Sequence, residues 1–197
     1  MQHNFKMTIQ TKILLYILLF ASICAYGQPR ERPETWATPI INAELENFYK
    51  VSDKLYRSEQ PDKAAFQQFQ SMGIYSVLNL RKRHSDRNEA RKTKIKLHHL
   101  RLSARNLTQE HIFQALKIIH QSDSPILIHC WHGSDRTGVV AAAYRMVFQD
   151  WSAVEAIDEF KNGGYGYHEW AFPNLIDLLE GLDVDDLRIK LDLVKKP

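Results

Sequence analysis

Apolar positions along the chain follow two spacings, and the spacing in force predicts what each segment forms. Ile74-Tyr75-Ser76-Val77-Leu78-Asn79-Leu80 is the clearest strand, Leu55 to Ser58 and Ile95 to Leu102 are shorter strand candidates, and Ile126-Leu127-Ile128 follows Pro125 as a short buried strand. Between them the spacing becomes helical. Pro61-Asp62 opens a helix whose apolar face is Ala65, Phe66, Phe69 and Met72, with Gly73 as its stop. Thr108 is placed to cap a helix carrying Ile112, Phe113, Leu116 and Ile119. Three more helices are predicted after the last strand, over Val139 to Gln149, Ser152 to Lys161 and Trp170 to Leu182. Arg81 to Arg91 has too little apolar content to pack and reads as an exposed loop or short polar helix. Strands alternating with helices predict one α/β domain over 47–182, with a mostly parallel central sheet flanked by helices. Residues 28–46, rich in proline at their start, read as an extended linker, and the charged amphipathic stretch 183–197 as a tail or terminal helix.

The N-terminus changes the picture of where the protein acts. Lys6 and Lys12 precede an apolar or small-residue run from Ile13 to Tyr26, and Ala25-Tyr26-Gly27 offers small residues at a cleavage site. Residues 1–27 therefore read as a signal peptide, and the mature chain as exported, periplasmic or extracellular. An uncleaved membrane anchor is the alternative, and the protein would meet a membrane only through this segment. Of the two cysteines, Cys24 leaves with the signal, so the mature chain carries Cys130 alone and has no intramolecular disulfide. A lone thiol in an oxidising compartment is a liability unless its chemistry is used.

Cys130 sits in His129-Cys130-Trp131-His132-Gly133-Ser134-Asp135-Arg136-Thr137-Gly138, between the buried strand and an Ala-rich helix. A strand, tight loop and helix N-terminus turn backbone N–H groups toward an anion at the positive end of the helix. Cys130 adds a nucleophile and Arg136 a bidentate phosphate clamp. This His-Cys-x5-Arg-Thr-Gly run resembles the signature of the cysteine-dependent protein tyrosine and dual-specificity phosphatases. Tyr56-Arg57-Ser58-Glu59-Gln60-Pro61 is similar to a stretch common near the start of bacterial members. The resemblance implies a dual-specificity phosphatase-like fold and metal-independent hydrolysis of phosphomonoesters, with no cofactor. Cys130 would attack phosphorus and form a phosphocysteine. Arg136 and the amides of Trp131, His132, Gly133, Ser134, Thr137 and Gly138 would surround the phosphoryl group. The Thr137 hydroxyl would bond the departing sulfur, and His129 would orient the loop by bonding backbone. Trp131 and His132 should face outward and meet the substrate beyond its phosphate, although core packing is an equal reading for Trp131.

The general acid departs from the family pattern. Most members carry an Asp upstream of the signature, but between Ala90 and Ser122 the only carboxylate is Glu110. Where the resemblance puts that loop, the chain has Ser103-Ala104-Arg105-Asn106. Asp123 precedes a strand of about five residues at ~3.3 Å each and falls on the wrong edge of the sheet. Asp135, Asp86 and His132 remain as proton donors, and a substrate with a good leaving group needs none. A structural carboxylate is an equal reading of Asp135, whereas exposure favours reading Asp86 as a solvated charge.

Charge bears on the substrate. The net charge of +3 conceals a segment, 81–105, with ten Lys and Arg against Asp86 and Glu89. Such a surplus beside the site would concentrate anions. It points to phosphoproteins, inositol phosphates, phosphoglycans or anionic lipid headgroups as substrates. Nucleic acid is not expected, because the segment lacks interleaved aromatics to stack bases. The rival readings are a phosphate-binding pseudophosphatase without turnover, against which intact Cys130 and Arg136 argue, and a redox protein, which would lack a resolving cysteine.

Overall fold

Four parallel strands carry the fold, and their register decides where the site lies. In the computed structural model, which describes residues 31–41 and 44–194, the strands are β1 (Thr38–Pro39), β2 (Tyr49–Lys50), β3 (Leu55–Ser58), β4 (Ser76–Asn79), β5 (Lys96–His99) and β6 (Ile126–His129). The helices are α1 (Lys63–Ser71), α2 (Gln109–His120), α3 (Asp135–Phe148), α4 (Ala153–Asn162), α5 (Asn174–Glu180) and α6 (Val184–Lys190). The sheet order is β1-β2-β3-β6-β4-β5, with β1 and β2 antiparallel and the other four parallel. The mixed but mostly parallel sheet is the α/β arrangement that the alternating periods predict. The signal segment lies outside the described residues.

β4 and β6 are buried at every position, as strands covered on both faces must be. Their side chains alternate between two cores. Val77 and Leu127 pack with Phe66 and Phe69 of α1, while Leu78, Ile126 and Ile128 join Leu116, Val139, Val140 and Ala143 on the opposite face. α3 is nearly all buried, consistent with its Ala-rich sequence, and α4, α2, α5 and α6 surround it. The strand register aligns Ser58, His129, Asn79 and His99 in one row at the carboxyl ends of β3, β6, β4 and β5. Polar residues end all four strands at the same level, directly where the signature loop begins.

Local signals hold where side-chain chemistry is explicit. Asp62 accepts the Ala65 N–H at the start of α1, and Thr108 and Ser152 cap α2 and α4 through capping boxes. Two expectations change, and one open alternative is decided. The segment read as a linker is built into the domain from Trp36 onward: Trp36, Ala37 and Leu45 are buried, and Thr38–Pro39 forms an edge strand. Its apolar residues are too sparse to show a period, and proline is compatible with an edge. The helix expected from Trp170 begins only at Asn174, because Pro173 occupies its N-cap position and Trp170 stays 86 % exposed. The charged C-terminal stretch forms α6, which buries Leu187 and Leu191, and Arg188 donates to the Met146 and Val147 carbonyls at the end of α3.

Candidate active site

The signature loop leaves β6 at Cys130, which is free and only 2 % exposed. Every carbonyl from Trp131 to Gly133 is held from outside the loop. Gln60 N–H donates to the Trp131 oxygen (2.9 Å), Asn47 Nδ2 to the His132 oxygen (2.7 Å), and Arg57 Nη2 to the Gly133 oxygen (2.7 Å). Because a peptide's N–H and C=O point in opposite directions, these clamps turn the amides to the loop's concave side. Among the described residues no internal acceptor meets the N–H of Trp131, His132, Gly133, Ser134, Asp135 or Arg136. Two buried side-chain groups there also have no partner, Arg136 Nε and Thr137 Oγ1. A ring of unsatisfied donors at the N-terminus of α3 is an oxyanion site in waiting, since buried polar groups are otherwise paired.

Gly133 is what lets the loop close. Its φ is +71°, and a Cβ there would stand 2.6 Å from the Ser58 carbonyl carbon and oxygen and 2.7 Å from the Glu59 nitrogen. All three are backbone atoms that cannot step aside. Gly138 is required by packing, since its Cβ would meet the Phe160 ring at 2.2 Å.

Arg57 is buried beneath the loop, stacked 3.6 Å from the centroid of the Tyr165 ring. Burial pulls its guanidinium below the ordinary arginine value, opposed by the fields of Tyr165, Glu159, Cys130 and Tyr49. Arg81 approaches from the loop after β4. Its guanidinium lies 4.1 Å over the Trp131 ring and donates to Gln60 Oε1 (2.8 Å). Desolvation and the like charge of Arg136 lower its pKa, and Asp86, Cys130 and Glu89 oppose them. Arg81 thus lies within the fields of both Cys130 and Arg136. Trp131 is 52 % exposed and His132 is exposed, so Trp131 is no core residue and both lie at the rim.

His129 bonds the backbone, with Nδ1 3.1 Å from the Cys130 oxygen, and its Nε2 also stands 2.8 Å from Asp86 Oδ2. Both ring nitrogens thus face oxygen atoms, one on the backbone and one on a carboxylate. The reading of Asp86 as a solvated charge is corrected: it is 4 % exposed, and its Oδ1 accepts from Gln60 Nε2 and Asn79 Nδ2, both at 3.0 Å. Burial pushes the Asp86 carboxyl up, but the bond and charge of His129, with Gln60 and His84, outweigh this and hold it below the usual carboxylate range. The polar run around it hides this role, because its partners come from β4, β6 and the loop after β3. Asp86 with His84 and Glu89 is the one group of potential metal ligands among the described residues. The Asp86 carboxylate is already engaged by three donors, while His84 Nε2 and Glu89 Oε2 make no hydrogen bond among the described residues.

Asp135, the first residue of α3, is buried and does not touch Arg136 in any hydrogen bond among the described residues. Its Oδ1 accepts the His168 backbone N–H (3.0 Å), and both carboxylate oxygens lie 3.1 Å from His168 Nδ1. Sequence reasoning places Cys130, Trp131, His132, Arg136 and Thr137 in one loop and helix start, as they are, but misses Asn47 and Asn79. Only Arg57 and Gln60 carried a signal, in the Tyr-Arg-Ser-x-Gln-Pro stretch.

A parallel sheet whose central strand ends in a Cys-x5-Arg loop, with the carbonyls drawn outward and a helix N-terminus behind it, defines a cysteine-based phosphatase. The chain belongs to the tyrosine phosphatase family, whose model matches residues 43–169. It is 30 % identical over 187 residues to the dual specificity protein phosphatase TpbA of Pseudomonas aeruginosa, covering 90 % of this chain and 84 % of that one. It is 28 % identical over 166 residues to the inositol diphosphatase SIW14 of Saccharomyces cerevisiae, covering 76 % of this chain and 56 % of that one. A crystal structure of P. aeruginosa TpbA in complex with pTyr superposes with a TM-score of 0.74 at 28 % identity, over 82 % of this chain and 99 % of the other. The core catalytic domain of SIW14 gives 0.63 at 26 % identity, over 76 % and 94 %. The fold and the phosphatase class are those the signature implies.

Proposed function

We propose that the chain is an exported phosphomonoester hydrolase that works through a Cys130 phosphoenzyme and favours multiply anionic substrates. The observation that carries the mechanism is the set of three outward-clamped carbonyls, in a loop where six amides and Arg136 Nε meet no acceptor among the described residues. Phosphate oxygens would occupy those donors, with Arg136 gripping two of them. Preorganised donors of this kind stabilise charge spread over the equatorial oxygens without reorganising during reaction. The Cys130 thiolate attacks phosphorus in line as the ester oxygen leaves, and water then displaces the sulfur, to which Thr137 Oγ1 donates. Asn47, Arg57 and Gln60 touch no substrate and hold the loop open.

The substrate reading draws on charge. Arg81 already lies at the rim beside Trp131, and the basic run that follows it is largely exposed. A relative crystallised with pTyr and relatives named inositol diphosphatases are compatible with a phosphoprotein or inositol phosphate substrate. Export rests on the character of residues 1–27. The test is aryl-phosphate hydrolysis by the wild type and by Cys130→Ser. Turnover that vanishes with the substitution supports the phosphoenzyme; undiminished turnover refutes it. Polyphosphates should inhibit more strongly at low than at high salt, and equal inhibition at both removes the polyanion preference.

A further inference from the structure

We infer that His168, held by Asp135, is the proton donor and acceptor of the reaction, in the role for which the chain has no upstream aspartate; this rests on the phosphoenzyme reading above. Two of the candidate acids, Asp86 and Asp135, are accounted for by their bonds, and so is the Tyr167 hydroxyl beside His168. Asp86 is buried, ionised and bound to His129, Gln60 and Asn79. Asp135 spends both carboxylate oxygens on His168. The Tyr167 hydroxyl donates to the Phe172 carbonyl at 2.7 Å.

The Asp135–His168 pair has the arrangement that proton transfer uses. A carboxylate on Nδ1 fixes that nitrogen as the N–H and stabilises the ring when the other nitrogen also takes a proton. The carboxylate also binds the His168 backbone N–H, so it fixes both the ring's tautomer and its place in the chain. Nε2 makes no hydrogen bond among the described residues, and the side chain is 39 % exposed. The ring stands 5.7 Å, centroid to centroid, from His132, two residues after the nucleophile. Asn47 Nδ2 bonds both the His132 and Tyr165 oxygens, tying the His168 segment along the signature loop.

The turn that lacks the aspartate packs on this segment. Asn174 Nδ2 donates to the Ala104 carbonyl (2.9 Å), and the Arg105 guanidinium lies 5.4 Å over the Phe172 ring. His168 therefore belongs to the segment that packs on that turn and lies against the signature loop at His132. The charged and titratable groups around its ring are Asp135 on α3, His132 on the loop, and Tyr167 and Glu169 beside it in the chain, the last paired with Lys161.

The steps balance. As the Cys130 sulfur–phosphorus bond forms and the ester P–O bond breaks, the leaving oxygen takes the Nε2 proton and departs as the alcohol, leaving neutral His168 and a phosphocysteine. Water then attacks phosphorus, Nε2 takes its proton, the S–P bond breaks, and inorganic phosphate leaves with the thiolate and protonated His168 restored.

The experiment compares p-nitrophenyl phosphate, whose leaving group needs no proton, with phenyl phosphate, whose leaving group does. For His168→Gln, kcat/KM on phenyl phosphate should fall by about 10²-fold or more, the range of general acid catalysis, and far less on p-nitrophenyl phosphate. Asp135→Asn should show the same split. Equal loss on both substrates, or no loss on either, with Cys130 still alkylated at the wild-type rate, overturns the assignment. Should the variants fail to fold, the wild type decides. A shallow dependence of its kcat/KM on leaving-group acidity supports a proton donor, and a steep one overturns it. Wild-type turnover that survives Cys130→Ser would instead refute the phosphoenzyme reading, so the two failures are distinct.

Discussion

Asp86→Asn isolates the buried charge that supports the signature loop. The carboxylate accepts from Gln60 and Asn79 on one oxygen and from His129 on the other. Neither amide can turn over to compensate: Asn79 Oδ1 accepts the Arg81 N–H, and Gln60 Oε1 accepts Arg81 Nη1. The one arrangement free of donor–donor conflict keeps the asparagine oxygen on Gln60 and Asn79 and turns its NH2 toward a neutral His129. The variant thus exchanges a charge-assisted bond, about 1.5–3 kcal/mol, for a neutral one of about 0.5–1.5 kcal/mol. The expected loss is about 1–2 kcal/mol at neutral pH, or roughly 2–8 °C in melting temperature for a domain of this size. The Asp86 carboxyl is held below its ordinary value of 3.8, so its stabilising contribution is complete above that value and is lost as pH falls through the lower folded one. Urea denaturation at pH 7 and at stepwise lower pH reads both effects. The gap between wild type and variant should persist from neutral to mildly acid pH and narrow as pH falls through the folded Asp86 value. A difference below about 0.5 kcal/mol at pH 7, within the scatter of ordinary surface substitutions, or one that does not narrow in acid, refutes the reasoning.

Other substitutions probe the same supports. Gly133→Ala places a Cβ against the Ser58 and Glu59 backbone at a φ of +71°; the left-handed conformation alone costs about 1–2 kcal/mol. The shifted loop should lower kcat/KM by about 10²-fold, which steady-state kinetics on an aryl phosphate would show. Glu159→Gln breaks a buried pair in which Arg145 Nε and Nη2 meet the two carboxylate oxygens at 2.8 and 3.1 Å. It should cost about 3–5 kcal/mol in urea denaturation. Because Tyr165 donates to Glu159 and lies against Arg57, the same variant should also loosen the loop and raise KM.

The signature is legible in the sequence because its chemistry is local. Cys130, Arg136 and Thr137 fall within one strand–loop–helix unit, and a buried strand followed by an Ala-rich helix announces itself by composition. The clearest strand and the capped helices are legible for the same reason: alternation, Asp62, Thr108 and Ser152 act within a few residues. The supports are not. Asn47, Arg57, Asn79 and Asp86 reach the loop from separate elements, and a buried charge within a basic run looks like any solvated charge until its partners are placed. His168 follows a glycine cluster, where packing is the ordinary expectation, and only the fold brings it to Asp135. The extent of α5 is misjudged because Pro173 resets the helix start within an otherwise apolar stretch.

The most direct test of the phosphate cradle is to quench wild-type turnover of labelled aryl phosphate in acid and locate the phosphorus by mass spectrometry. The account predicts label on the peptide containing Cys130, bonded to sulfur and absent in Cys130→Ser. Turnover with no phosphorus on Cys130, or with label on His132 or His168 instead, would contradict it.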